Sequence, residues 1–117
     1  MIIIGREHIL SNICSHEEFT QFLEEVRNRY KKAKEGYEFN FKTEIEPFLK
    51  KSEHISECIM NSESDSRFTP LIKEKVTNTT TELAMNCHVK RFSKKLFNET
   101  YKYVAHWFFY LNERESE

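Results

Sequence analysis

The sequence predicts an all-α protein, a four-helix up-and-down antiparallel bundle, and three observations carry that expectation. Apolar and aromatic residues recur every three to four positions along most of the chain. Two glycines and two prolines in 117 residues leave out the turns that an all-β domain would need at intervals of about 8 to 12 residues. The stretch from Cys87 to Leu111, CHVKRFSKKLFNETYKYVAHWFFYL, combines the densest aromatic content with the clearest helical period. At about 100° per residue, Leu96, Phe97, Thr100, Tyr101, Val104, Trp107, Phe108 and Leu111 fall on one side. Arg91, Lys94, Lys95, Lys102, His106 and Glu113 fall on the other, which makes this an amphipathic fourth helix with a wide buried face.

The remaining helices follow from local signals. Residues 1–14 stand apart as a separate N-terminal segment, because Ile9 and Ile13 are out of phase with the stripe that follows them. Ser15-His16-Glu17-Glu18 reads as a capping box, with Cys14 and Phe19 as its apolar staple. From there Phe19, Phe22, Leu23, Val26, Tyr30 and Ala33 describe a first helix that stops at Gly36. A second helix runs from about Phe39 to Asn61, its stripe being Phe41, Ile45, Phe48, Leu49, Ser52, Ile55, Ile59 and Met60. Pro47 lacks an amide proton, so it kinks this helix or marks its true start. Asn61 to Phe68 reads as a polar loop, and Thr69-Pro70 starts a third helix with a cap followed by proline at the first position. Its run Thr77 to Thr81 has poor helix propensity and predicts the softest of the four helices.

The totals bound the function. One domain spans 1–117 by size. A net charge of -1 gives no global reason to track a phosphate backbone, so nucleic-acid binding would have to come from a local patch. The apolar start MIIIG ends at Arg6, too soon for a signal or a spanning helix, which leads to the expectation of a cytoplasmic protein with no membrane attachment. Cys14, Cys58 and Cys87 are odd in number and contain no C-x-x-C pair, which predicts reduced thiols rather than a disulfide framework.

Catalytic constellations are hard to assemble. A di-iron bundle needs Glu-x-x-His, yet Gly5, Ile13, Lys51, Met85 and Tyr103 stand three residues before the five histidines. His54 and Cys58 are spaced as a zinc half-site, with Cys87-His88 as the other half. On the helical wheel, however, His54 and Cys58 fall away from the apolar stripe, and adjacent Cys87 and His88 diverge. No metal ligand set and no cofactor are therefore assigned. Cys87 lies on a core-facing stripe, where burial raises a thiol pKa and makes it inert. His106 is on a polar face, but Phe109-Tyr110 follow it where a phosphotransfer histidine is followed by a cation and a glycine. The expectation is a protein that is not an enzyme, with no catalytic residue.

Two surface features remain. Lys90, Arg91, Lys94 and Lys95 gather at the start of the fourth helix, where the macrodipole is already positive. They either hold an anion, such as a phosphate or a nucleic-acid backbone, or are solvated or paired with Glu24, Glu25, Glu44, Glu46, Glu53 or Glu57. Phe109 lies on the polar side of the same helix, flanked by Phe92, Tyr103 and Tyr110. With Arg91, Lys95 and Lys102 it makes an aromatic and basic surface of the kind protein interfaces favour.

YEFNFKTEIEPFLKK together with the later CHVKRFSKKLFNETYKYV resembles the YppE-like family of small Gram-positive bacterial proteins. The likeness covers roughly Arg29 to Leu111. It rests on Arg29-Tyr30, Phe41, Ile45, Pro47, Thr69-Pro70 and, most specifically, Lys90-Arg91-Phe92 followed by Tyr103. The chain has Tyr103-Val104-Ala105 where the family shows tyrosine-threonine-leucine, and Met1 to Arg6 has no counterpart. The resemblance implies a four-helix bundle in a bacterial cytoplasm and a family with no assigned biochemical function. The sequence thus leads to a non-enzymatic interaction or adaptor protein that binds an unidentified protein partner through Phe109, Arg91, Lys95 and Lys102. The second expectation is anion or nucleic-acid binding through Lys90, Arg91, Lys94 and Lys95.

Overall fold

The structure is a computed structural model and describes residues 14–115. Among the described residues there are four α-helices, α1 (His16–Lys34), α2 (Glu46–Asn61), α3 (Pro70–Asn86) and α4 (Lys94–Glu115), with a π-helical turn, Phe41–Ile45, leading into α2. They pack as an antiparallel up-and-down bundle, α1 lying against both α2 and α4. No helix among the described residues is long and apolar enough to cross a membrane.

The ends of the helices follow the local chemistry. The Ser15 hydroxyl accepts from the Glu18 amide at 3.1 Å. The reciprocal half of the expected capping box is replaced, because the Glu18 carboxylate faces His54 at 3.5 Å. α1 closes in a Schellman arrangement: the Tyr37 amide donates to the Lys32 carbonyl at 2.9 Å and the Gly36 amide to Ala33 at 3.0 Å. Gly36 has φ 101°, a conformation that costs a residue without a Cβ very little. The second helix begins at Glu46 rather than at Phe39. Proline cannot donate and crowds the carbonyl four residues back, and the preceding turn widens to π geometry, with the Ile45 amide reaching the Asn40 carbonyl at 3.1 Å. That wider turn breaks the 100° spacing, so Phe41, expected in the core, is exposed, as is Met60 at the far end of the helix. Thr69 caps α3, its hydroxyl accepting from the Ile72 amide at 3.2 Å. Along α3 the hydroxyls of Thr77, Thr79, Thr80 and Thr81 each donate to the carbonyl four residues earlier.

The fourth helix starts at Lys94, seven residues later than Cys87. Residues 87–93 form a turn that ends with the Ser93 hydroxyl accepting from the Leu96 amide at 3.2 Å. Lys90 and Arg91 therefore precede the helix instead of opening it. Phe97, Val104, Trp107, Phe108 and Leu111 are buried as expected, whereas Leu96 is 46% exposed.

Stacked rings join the layers. Phe19 meets Phe108 at 4.4 Å, Phe22 meets Phe48 at 5.4 Å and Tyr30 meets Phe97 at 3.9 Å between centroids. The polar reading of Asn61 to Phe68 misses Phe68, which is fully buried and packs against Trp107 at 5.5 Å. Its loop is organised by Asp65, whose carboxylate accepts from the amides of Arg67 and Phe68 at 2.8 and 2.6 Å. The same group accepts from the Tyr110 hydroxyl and the Arg114 guanidinium of α4, each at 2.8 Å.

Cysteine pairing overturns the expectation of free thiols. Cys14 and Cys58 form a disulfide with a Cα–Cα distance of 5.6 Å, while Cys87 is a buried free thiol. Cys58 is itself buried, not on the polar side of α2 as the wheel suggested. The two half-cystines are 44 residues apart in sequence, and only the packing of the start of α1 on α2 brings them together. Residues 1–13 lie outside the described residues, and with them the expected break around Ile9 and Ile13.

Candidate functional site: a cationic groove between the first and last helices

In an antiparallel pair, the end of α1 lies beside the start of α4. Arg27, Lys31 and Lys34 follow one another at four and three residues, which puts them on one face of α1. Lys94 and Lys102 come from the facing side of α4. Together the two sets line a groove of about 630 Å³ whose rings are Tyr30, Phe97 and Tyr101, and among the described residues Glu35 is the one carboxylate on it.

The aromatic floor orients the cations without neutralising them. The Arg27 guanidinium lies over the Tyr101 ring at 5.1 Å, and the Lys34 ammonium over the Tyr30 ring at 5.3 Å. Tyr30 is fixed in turn, because its hydroxyl donates to the Phe92 carbonyl at 2.5 Å. Among the described residues, no carboxylate lies within ion-pair distance of Arg27, Lys31, Lys34, Lys94 or Lys102. Five like charges therefore converge on one concave surface, an arrangement that repels itself and gains from an anion.

The sequence-derived cluster is divided by this geometry. Lys94 enters the groove; Lys95 is exposed outside its lining, and Lys90 and Arg91 are exposed on the preceding turn. The glutamates offered as their partners are engaged elsewhere or solvated. Glu25 pairs with Lys51, and Glu44 accepts from the Tyr37 hydroxyl and the Asn40 amide at 2.6 and 2.8 Å. Of the aromatic and basic surface, Phe109 is 61% exposed. Lys102 lies two helical turns from it, about 10 Å along the axis, and Lys95 lies four turns away, about 21 Å, so the four residues do not form one compact patch. Phe92, Tyr103 and Tyr110 are half-buried against the core.

Arg27, Lys31 and Lys34 are groove residues that no sequence motif singles out. Their spacing along one helical face was visible, but the partner face on α4 was not.

The other candidate chemistry resolves into structure. Cys87 is fully buried, and burial pushes its thiol up to about 12, the nearby Arg29 offsetting only part of that rise. Its sulfur donates to the Ala84 carbonyl at 3.3 Å. His88 is held by Arg29 at 2.8 Å, and the ligand-type groups gathered around His54 and Cys58 are Cys14 and Glu18 rather than Cys87 and His88.

Fold and groove define a class: a four-helix bundle that presents a cationic, ring-floored groove between its first and last helices. In comparisons with protein-family models, curated proteins and solved structures, nothing matches the chain.

Proposed function

We propose that this chain is a non-enzymatic interaction protein that takes an acidic segment of a partner protein into the groove between α1 and α4. The observation that supports this reading is the convergence of Arg27, Lys31, Lys34, Lys94 and Lys102, none ion-paired among the described residues, on about 630 Å³ of open space. Carboxylates of an extended segment complement such a surface, and the stems of the lysines and the edge of Tyr101 supply apolar contact. The buried rings argue against a stacking platform for bases, because Tyr30 and Phe97 turn their faces to one another and not to solvent. The overall charge of -1 argues in the same direction. A cytoplasmic location and kinship with the YppE-like family belong to the same proposal.

A second reading has its own support. The amides of Lys94 and Lys95 open α4 and take no acceptor among the described residues, so the groove end nearest them also suits a phosphate group.

The test is fluorescence anisotropy with a glutamate-rich peptide, a single-stranded oligonucleotide and inorganic phosphate as competing probes. Binding of the peptide that weakens at least about tenfold when Lys31 and Lys34 are both changed to Glu supports the proposal. Preference for the oligonucleotide, with affinity falling steeply as salt rises, moves the assignment to nucleic acid. Peptide binding that survives the double change but is lost with Phe109→Glu returns the interface to the Phe109 surface.

A further inference from the structure

The disulfide has two neighbours that neither the core nor the groove uses. His54 Nε2 lies 3.9 Å from Cys58 Sγ and 3.5 Å from a carboxylate oxygen of Glu18. The ligand-type atoms of Cys14, Glu18, His54 and Cys58 all fall within 4.8 Å of one another. Two elements supply the four groups. Cys14 precedes the Ser15 cap of α1 and Glu18 stands in the first turn of that helix, while His54 and Cys58 are one turn apart on α2.

This quartet matches a tetrahedral zinc site once the sulfurs are separate. Zinc takes thiolate at about 2.3 Å and imidazole or carboxylate at about 2.0 to 2.2 Å. Tetrahedral angles then put nitrogen and sulfur about 3.6 Å apart and nitrogen and oxygen about 3.4 Å apart. The observed 3.9 and 3.5 Å are within a few tenths of an ångström of those values. The sulfurs must separate to about 3.8 Å from each other, and the remaining pairs, all within 4.8 Å, close around the ion as it binds. The sulfurs are buried and the other two side chains are half exposed, which gives a dry, soft floor and an open side for entry.

We propose that Cys14, Glu18, His54 and Cys58 form a redox-gated zinc site, closed as a disulfide and loaded with one zinc ion when reduced. In the reducing step a dithiol reductant delivers two electrons and two protons. The sulfur–sulfur bond breaks, Cys14 and Cys58 become thiols, and the reductant becomes a disulfide. Zinc entry then displaces both thiol protons to solvent as two sulfur–zinc bonds form. An oxidant of the disulfide class reverses the sequence, taking two electrons, rejoining the sulfurs and releasing the ion. The bridge between α1 and α2 is thereby kept in both states, by a covalent bond in one and by metal in the other. The site is independent of the groove, since it lies at the opposite end of α1, about 20 Å away along the helix.

The test is zinc titration of the whole chain against a chromophoric chelator, before and after reduction with a phosphine. Cobalt serves as a second, spectroscopic probe. One zinc per reduced chain and none per oxidised chain is the expected result, with sulfur-to-cobalt charge transfer and tetrahedral ligand-field bands. His54→Ala and Glu18→Gln alter half-exposed side chains and leave the core intact, and each should weaken zinc by at least about tenfold. Equal zinc uptake by oxidised and reduced protein, an octahedral cobalt spectrum, or unchanged affinity in either variant overturns the proposal. Cys87→Ser should leave stoichiometry unchanged; loss of zinc in that variant while its helical circular dichroism is intact would transfer the site to Cys87 and overturn it too.

Discussion

The Arg29 guanidinium donates to His88 Nε2 at 2.8 Å, linking the C-terminal half of α1 to the turn after α3 across 59 residues of sequence. An arginine side chain has only donors, so the imidazole nitrogen that faces it must be the acceptor, and His88 is held neutral with its proton on Nδ1. Arg29 is further committed to the Glu44 carbonyl at 3.2 Å and stacks over Phe48 at 4.3 Å. It thereby joins α1, the π-helical turn, α2 and the α3–α4 turn.

This contact makes stability depend on pH. Burial of His88, and after it the Arg29 charge, lower the imidazole pKa below its ordinary 6.5. The folded state then binds fewer protons than the unfolded state, so stability is full above pH 6.5 and is lost as pH falls from there toward the folded pKa. Urea denaturation at pH 7.5 and 5.5 should give a lower midpoint at the acid value, and His88→Gln should flatten that difference.

Asp65 has a second, lower window. Its bonds to the Phe68 amide, to Arg114, to Tyr110 and to the Arg67 amide hold the carboxyl well below the usual carboxylate range. Its support for the loop is present above about pH 3.8, the unfolded value, and fades as pH drops through the folded one. Asp65→Asn should therefore lower the melting temperature at neutral pH, and the gap to the parent should close in strong acid. A gap that stays constant with pH would show that the carboxylate charge is not what organises this loop.

Trp107 is buried against Phe68 and contacts Tyr110 edge to face at 5.3 Å. Trp107→Ala should cost about 3 to 5 kcal/mol in chemical denaturation, through lost burial and the cavity left behind. A loss under about 1 kcal/mol would mean that α4 presents a different face to the bundle.

Ser52 is buried on α2, yet its hydroxyl has no hydrogen-bond partner among the described residues. Burying an unsatisfied hydroxyl is unfavourable, so Ser52→Ala should raise stability by about 1 kcal/mol with no change in fold. A decrease, read as a lower urea midpoint at unchanged slope, would show that the hydroxyl is bonded after all.

Much of the architecture is written locally. The Ser15 cap, the Gly36 stop, Pro47 and the Thr69-Pro70 start each act within a few residues, and the ends they set agree with the helices observed. The stripes Phe19-Phe22-Val26-Tyr30 and Val104-Trp107-Phe108-Leu111 were likewise readable, because side chains three or four apart share a helical face whatever lies opposite. Period alone fails where a helix is interrupted. Phe41 left the core because the turn before Pro47 widens, and Lys90 and Arg91 fell outside α4 because residues 87–93 form a turn.

Everything that requires two distant elements was decided by tertiary packing. No spacing rule connects Cys14 to Cys58, or Glu18 to His54, until α1 lies on α2. Arg27, Lys31 and Lys34 look like an ordinary solvated helix face until Lys94 and Lys102 are brought opposite them. Phe68 reads as the end of a polar loop until Trp107 covers it. Local sequence marks both ends of α1, the start of α3 and most of each buried stripe, because those depend on backbone hydrogen bonds and side-chain period alone, whereas the starts of α2 and α4 depart from it. The juxtapositions that bear on function arise between faces, and only the packed bundle brings those faces together.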